Sequence, residues 1–367
     1  MALEWSFIVT DDPERSHNPM KKIDKVSPSS KAPVVTLKTL ASHLGLTAGT
    51  VSSVLNNSPA SRSIPEKTRD RIVKAARQFN YRPNFLARSL RVQRSYTVGV
   101  IAEEIGDAYG ATVISGIETV LRKNNFFFLT VAHRHDDDLK RSYSQLLLTR
   151  GAEGIITIDT SIDQKPTLPT VAIAGHQHVP NVTNIILDHH HAAQLVLQHL
   201  FDLGHRRIAF FRGPASSSDS APRWKAIQGV AAQLHLTIDP KLVFQLENTP
   251  NISDIGCLPA KALLATKLSF TALFAYNDIS AMGAMLVFRE AGLSVPSDVS
   301  VVGFDDISVA SFASPPLTTI HQPLFEMGTV AAQTLLDRVE NRAPFVSEIA
   351  LSPKLIIRGS TGPVRQL

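Results

Sequence analysis

Cysteine is nearly missing from this sequence: Cys257 is the only one in 367 residues. An intrachain disulfide framework is therefore excluded, and a reducing, cytoplasmic setting is expected. No apolar run reaches the roughly 18 residues of a membrane span. The start, MALEWSFIVTDDPER, carries acidic residues where an export signal carries basic ones, so neither a membrane partner nor secretion is expected. The motifs of several common chemistries are also missing. Without G-x-x-x-x-G-K-[ST], G-x-S-x-G or H-E-x-x-H, phosphate cradling by a P-loop, elbow-serine hydrolysis and zincin chemistry lose their usual basis, and no cofactor is expected.

Charge makes up only 19% of the composition, against 44% hydrophobic residues, which excludes wholesale disorder. That charge is unevenly placed. Between Val34 and Arg94 eleven basic residues face two acidic ones, a surplus of nine in a chain whose total is +5, so the rest carries a deficit of four. A compact basic module on a mildly acidic body is the electrostatic footprint of a nucleic-acid binder. At 367 residues the length suits two or three domains of roughly 150 residues each.

Within the basic module, Leu37 to Asn56 reads LKTLASHLGLTAGTVSSVLN. Leu37, Leu40, Ala41 and Leu44 share one helical face, Gly45 breaks that helix, and Thr47 is a candidate N-cap. Val51, Val54 and Leu55 supply the inner face of a second helix. Ala48, Gly49, Ser52 and Ser53 are expected on its outer face, where small and hydroxylated residues let a helix lie close in a DNA major groove. The same residues fit a plain helical hairpin in a core equally well.

Residues 1–33 show Pro and Ser without a sustained period and are expected to form a disordered tail. The module proper spans 34–82 and ends in a third helix from Glu66 to Asn80, with Ile72, Val73, Ala76 and Phe79 apolar and Pro65 in the first turn. Residues 83–95 read as a linking hinge helix, in which Leu90 is placed to wedge into a minor-groove base step, or as a plain charged linker. From Thr97, short Val-, Ile- and Phe-rich strands (97–102, 126–132, 154–158, 170–174, 184–188, 207–213, 272–276, 299–304) alternate with helices (111–123, 138–149, 190–203, 223–234, 259–265, 279–291, 324–340). That rhythm predicts an α/β architecture of two doubly wound, parallel-sheet halves over 96–360, with a ligand cleft at the carboxyl ends of the strands. The lobes are expected at about 96–188 with 322–348 and about 189–320 with 349–360, leaving 361–367 as a tail.

Histidines cluster at His133 and His135, at His176 and His178, and at His189 to His191. No cysteine or carboxylate completes a recognisable ligand set in the sequence, so no metal site is expected. Asp136 to Asp138 suits the start of a helix. The Asp305–Asp306 pair is too weak a signal for a catalytic site by itself.

Taken in order, VTLKTLASHLGLTAGTVSSVLN, TRDRI, YRPNFLARSL, GVIAEEIGD, GIETVLR, LGHRRIAFF, NDISAMGAM, VPSDVSVVGFDD and PPLTTIHQP resemble the lactose repressor and galactose repressor (LacI/GalR) family of transcription regulators, from about Val35 to about Arg358. The resemblance implies a cytoplasmic homodimer with an all-α helix-turn-helix headpiece for palindromic operator DNA. It also implies a two-lobed effector domain of the periplasmic-binding-protein-like type I fold, which binds a small molecule, a sugar or sugar derivative, between its lobes. Such a protein is a repressor and no enzyme. The competing readings are a solute-binding protein, which should lack the basic headpiece, and a carbohydrate-acting enzyme resting on Asp305 and Asp306.

The same resemblance implies roles for individual residues. Thr47 opens the recognition helix, and the positions of Ala48, Gly49 and Ser53 meet base edges. Thr36, Thr50, Ser52, Asn56, Tyr81 and Asn84 hold phosphates or support the headpiece, and Leu90 is the hinge leucine inserted at the operator centre. Relatives often carry a long polar or aromatic pair at Ala48 and Gly49 and an arginine at Ser53. Their absence here removes bidentate base readout and leaves methyl contacts, hinge insertion and DNA deformability to carry specificity. Around the effector the resemblance places Tyr109, Arg223, Asn277, Asp305 and Gln322, with Ala174 where sugar-binding relatives carry aspartate.

Overall fold

The computed structural model describes residues 35–81, 89, 93–162, 165–249 and 254–365. The chain divides into two compact units, one up to Val92 and one from Gln93 onward. The expected tail 1–33, Asn84, Leu90 and most of the expected 83–95 linker lie outside the described residues.

In the first unit, α1 (Leu37–Leu44) starts at Thr36, whose side chain accepts from the Thr39 N–H in a reciprocal capping box, and stops at Gly45, which takes the left-handed φ of 66° that glycine adopts freely. Helix α2 (Ala48–Leu55) is capped by Thr47, as its sequence position predicts. Helix α3 (Glu66–Gln78) completes the unit, and Leu40, Ala41, Val51, Ile72 and Ala75 form its buried centre. Two expectations change here. Val73 is 37% exposed and Ala75 takes the inward place, because Ile72 and Ala75, three apart, face the hairpin. Ser52 is buried, with the 3-10 turn Pro59–Ser63 packed against α2 and Ser61 buried with it.

The second unit holds two six-stranded sheets. The first lobe runs β11-β5-β4-β3-β1-β2, all parallel. Its strands are β1 (Thr97–Ala102), β2 (Phe127–Ala132), β3 (Gly154–Ile158), β4 (Thr170–Ile173), β5 (Val182–Leu187) and β11 (Glu348–Leu351). Strands β1, β3 and β4 are buried throughout, which explains their unbroken apolar runs. Helices α4 (Ala108–Lys123), α5 (Asp137–Thr149) and α10 (Leu324–Val339) cover it. Helices α4 and α10 cross so closely that a Cβ on Gly116 would meet the Phe325 carbonyl, and one on Gly328 the Val113 carbonyl.

The second lobe runs β12-β10-β9-β8-β6-β7. It comprises β6 (Ile208–Arg212), β7 (Val243–Gln245), β8 (Ala272–Phe274), β9 (Ser300–Asp305), β10 (Thr318–His321) and β12 (Lys354–Ile356), of which β12 alone pairs antiparallel. Helices α6 (His189–Asp202), α7 (Ser220–Gln233), α8 (Asp254–Ala265) and α9 (Asp278–Glu290) pack around it. The chain passes between the lobes after β5, after β10 and after β11. The first lobe's sheet therefore runs on to Leu351, past the expected limit of 348. Helix α8 starts before its expected Pro259, which sits inside it. No helix among the described residues is long and apolar enough to cross a membrane.

Candidate functional site

The outer end of α2 is built from caps and absent side chains. Thr47, Ala48 and Gly49 are exposed, and a Cβ added at Gly49 would meet only the Thr47 hydroxyl, at 3.7 Å. Thr47 Oγ1 accepts from the Thr50 N–H at 3.1 Å and lies 2.9 Å from its hydroxyl, which fixes the first turn. Ser53 is half-buried. Asn56 donates through Nδ2 to both Ser52 O and Ser52 Oγ, so these two brace the helix end. Tyr81 packs beside the headpiece core, where burial raises its phenol. Arg94, one of the eleven basic residues, lies in the second unit, where it bonds Glu153 at 2.7 Å and covers the Tyr96 ring.

In the second unit the strand ends of both lobes meet around a cluster centred on Asp219 and Arg223. Arg223, on α7, donates through Nη2 to Asp219 Oδ2 at 3.0 Å and through Nη1 to the Tyr276 carbonyl at 2.7 Å. Its guanidinium lies 3.7 Å from the centre of the Phe304 ring and 4.4 Å from that of Tyr276. Asp219 Oδ1 takes His176 Nε2 at 2.5 Å and His189 Nε2 at 3.1 Å. Although burial opposes its charge, the histidines and Arg223 hold the Asp219 carboxyl well below the usual range.

The first lobe contributes Tyr109, from the first turn of α4, and Asp159, just beyond β3. Burial, with Asp219, Asp159 and Asp305 nearby, pushes the Tyr109 phenol well above its ordinary value, and its buried hydroxyl has no partner among the described residues. Asp159 bridges the lobes: Oδ2 accepts from Ser217 Oγ at 3.0 Å, and Oδ1 from the Ser218 N–H at 3.0 Å. Ser217 also meets the Tyr276 hydroxyl at 2.7 Å. Burial and the charge of Asp219 raise Asp159. Next to it Glu103 is pushed up to about 8, by burial first and then by Asp159.

Asp305 closes β9 with φ of 110°, a left-handed backbone that a non-glycine residue adopts under constraint. Gln322 Nε2 donates to Asp305 Oδ1 at 2.5 Å, leaving the buried Gln322 Oε1 without a partner among the described residues. Burial, then Asp278, raise Asp305 well above its ordinary value. Asp306 is spent on structure: it binds Arg358 at 2.6 Å and His321 at 3.0 Å.

Of the residues expected around an effector, Tyr109, Arg223, Asp305 and Gln322 come together. Asn277 serves as the N-cap of α9, its Oδ1 taking the Ser280 N–H at 2.9 Å. Ala174 presents only its carbonyl, to Ser218 Oγ at 2.5 Å. Sequence reasoning missed Asp159, Asp219, Tyr276 and the two serines. Asp159 and Tyr276 stand directly beyond strands the sequence does predict, so the rule that α/β sites gather at strand ends could have found them. Nothing local marks Asp219.

Residues 36–84 match the family of bacterial regulatory proteins of the lacI family, and residues 197–361 match a periplasmic binding protein-like domain. The chain is 29% identical over 337 residues to the HTH-type transcriptional repressor PurR of Haemophilus influenzae, covering 89% of this chain and 98% of that protein. It is 29% identical over 334 residues to the repressor CytR of Escherichia coli, covering 89% and 96%. Among solved structures, the lac repressor dimer bound to operator and the anti-inducer ONPF superposes with a TM-score of 0.81 at 26% identity, over 89% of this chain and 99% of that one.

Proposed function

Because the chain belongs to the lacI family of bacterial regulatory proteins, we propose that it is a dimeric transcriptional repressor whose grip on a palindromic operator is set by a small molecule between the two lobes. Residues 34–82 are the DNA-reading headpiece, 83–95 the hinge that carries Leu90, and 96–360 the effector and dimerisation domain. Thr47, Ala48, Gly49 and Ser53 face the bases; Thr36, Thr50, Ser52, Asn56, Tyr81 and Asn84 hold phosphates or brace the fold. Action on operator DNA assigns it to the cytoplasm.

One observation carries the effector reading. Three buried polar atoms from both lobes, Tyr109 Oη, Arg223 Nε and Gln322 Oε1, have no partner among the described residues, and all belong to residues around the same cluster. Buried polar atoms that lack partners cost stability, about 1–3 kcal/mol each, unless a ligand or water meets them. A polyhydroxylated or heteroaromatic molecule supplies both acceptors and donors. Asp159, which ties the first lobe to Ser217 and Ser218 of the second, makes lobe closure the quantity such a ligand shifts, and linkage carries that shift to the operator. Asp306 is bound to Arg358 and His321, which disfavours a paired-carboxylate hydrolase.

The test has two arms. Selection of binding sites from random DNA should enrich a palindrome; failure to do so overturns the repressor reading. A thermal-shift screen over sugars, sugar acids and purines should yield a stabilising compound that weakens or strengthens operator binding in a fluorescence titration. That response should disappear in Tyr109→Phe or Gln322→Leu, and its persistence in both rejects the pocket.

A further inference from the structure

Two of the three histidine-rich segments, those at His176 and at His189, converge on one point. His176 follows β4 in the first lobe, while His189 opens α6 and Asp219 precedes α7 in the second. His176 Nε2 and His189 Nε2 both address Asp219 Oδ1, and one donor atom from each residue lies within 4.8 Å of the other two. We propose that His176, His189 and Asp219 form a binding site for a divalent transition cation of the zinc class, bridging the two lobes.

Two imidazole nitrogens and one carboxylate oxygen are the donor set of open three-ligand sites. Donors about 2.0–2.1 Å from a tetrahedral ion stand roughly 3.3 Å apart, so the observed spacings of 2.5 and 3.1 Å need only small outward shifts. A single carboxylate oxygen facing two imidazole nitrogens requires each ring to bring it a proton; a cation takes both lone pairs at once.

Asp219 Oδ2 is held by Arg223 at 3.0 Å, the kind of outer contact that aims a ligating carboxylate. A cavity of about 260 Å³, lined by His176 with Thr160, Asn184, Ser217 and Ser218, opens beside the cluster and gives room for a fourth, exchangeable ligand. His178, His190 and His191 are exposed and take no part.

The site stands on this geometry alone, so the outcome of operator selection leaves it untouched. Full-length protein stripped with a chelator is titrated with Co2+ and followed by its visible d–d absorption, then back-titrated with Zn2+. One Co2+ per chain, displaced by Zn2+, is expected. His176→Gln and His189→Gln should each weaken uptake by about tenfold or more, while His178→Gln with His190→Gln should leave it unchanged. Metal-free thermal melts check that each variant folds. If His189→Gln fails to fold, His176→Gln, whose ring is partly exposed, decides. Uptake only at millimolar Co2+, uptake that survives His176→Gln, or uptake lost with His178 and His190 overturns the proposal.

Discussion

Ser218 of one lobe and Asp159 of the other are joined at a single carboxylate oxygen: the Ser218 N–H lies 3.0 Å from Asp159 Oδ1 and the Ser218 hydroxyl 2.6 Å from it. The same hydroxyl lies 2.5 Å from the Ala174 carbonyl. One hydroxyl proton cannot serve both acceptors. The hydroxyl donates either to Asp159 Oδ1 or to the Ala174 carbonyl, while the Ser218 N–H holds Asp159 in both cases.

Ser218→Ala should therefore cost about 1–3 kcal/mol of effector-domain stability, whereas Asp159→Asn, which keeps a neutral donor and acceptor there, should cost less. Differential scanning calorimetry of the two variants checks the order. A Ser218→Ala protein that melts with the parent contradicts the bridge.

Asp219→Asn removes the charge that balances a fully buried Arg223. Breaking a buried pair from one side leaves an uncompensated charge, so a loss of about 3–5 kcal/mol is expected in urea unfolding. An unchanged midpoint would mean that the Asp219 charge does not hold Arg223 in place and contradicts the prediction.

The pH dependence follows from signs. Glu103 is raised from 4.5 to about 8 and Asp278 from 3.8 to about 7, in both cases chiefly by burial, so each binds its proton more tightly when folded. Their contribution is full below the unfolded values and lost as pH rises through the folded ones. His133, His189, His199 and His205 are lowered from 6.5 and oppose this trend only below that value. Stability should accordingly fall between pH 6.5 and about 8, and Glu103→Gln should flatten the fall. Denaturant midpoints measured across that window test it; a midpoint that rises reverses the sign and removes the claim.

At the DNA-reading face, Gly49 has room for a side chain within its own protein. Gly49→Ala should leave headpiece stability unchanged or raised by up to about 1 kcal/mol, yet weaken operator binding, because the proposed function sets the α2 backbone at this position against a base pair. Circular dichroism and anisotropy separate the two effects. Equal affinity would move specificity elsewhere, Leu90 being the next residue to replace.

The headpiece was legible because its signals are local: Thr36, Gly45 and Thr47 mark helix ends within a few residues of the atoms they satisfy. Buried strands such as β1 and β3 were legible for a similar reason, since burial on both faces leaves an apolar run. Strands β10 and β12 were not, being short, with Lys354 exposed on an antiparallel edge. The first turn of α8 is hidden in the sequence because Pro259, inside the helix, has the signature of a helix start. The site divided along the same line. Asp305 belongs to the quoted motif VPSDVSVVGFDD and Arg223 is placed by the resemblance, whereas Asp219 acquires its meaning from Arg223 one turn on and from His176 and His189, which the fold brings to it from other segments.

The seam between α4 and α10, closed at Gly116 and Gly328, joins the beginning of the second unit to its end. On a ribosome the chain emerges amino terminus first, and the headpiece needs only its own neighbours in sequence to fold. The first lobe must wait for α10 and for β11, which completes its sheet at Leu351. During synthesis, then, the helices that read DNA are finished before the lobe that takes part in governing them can close.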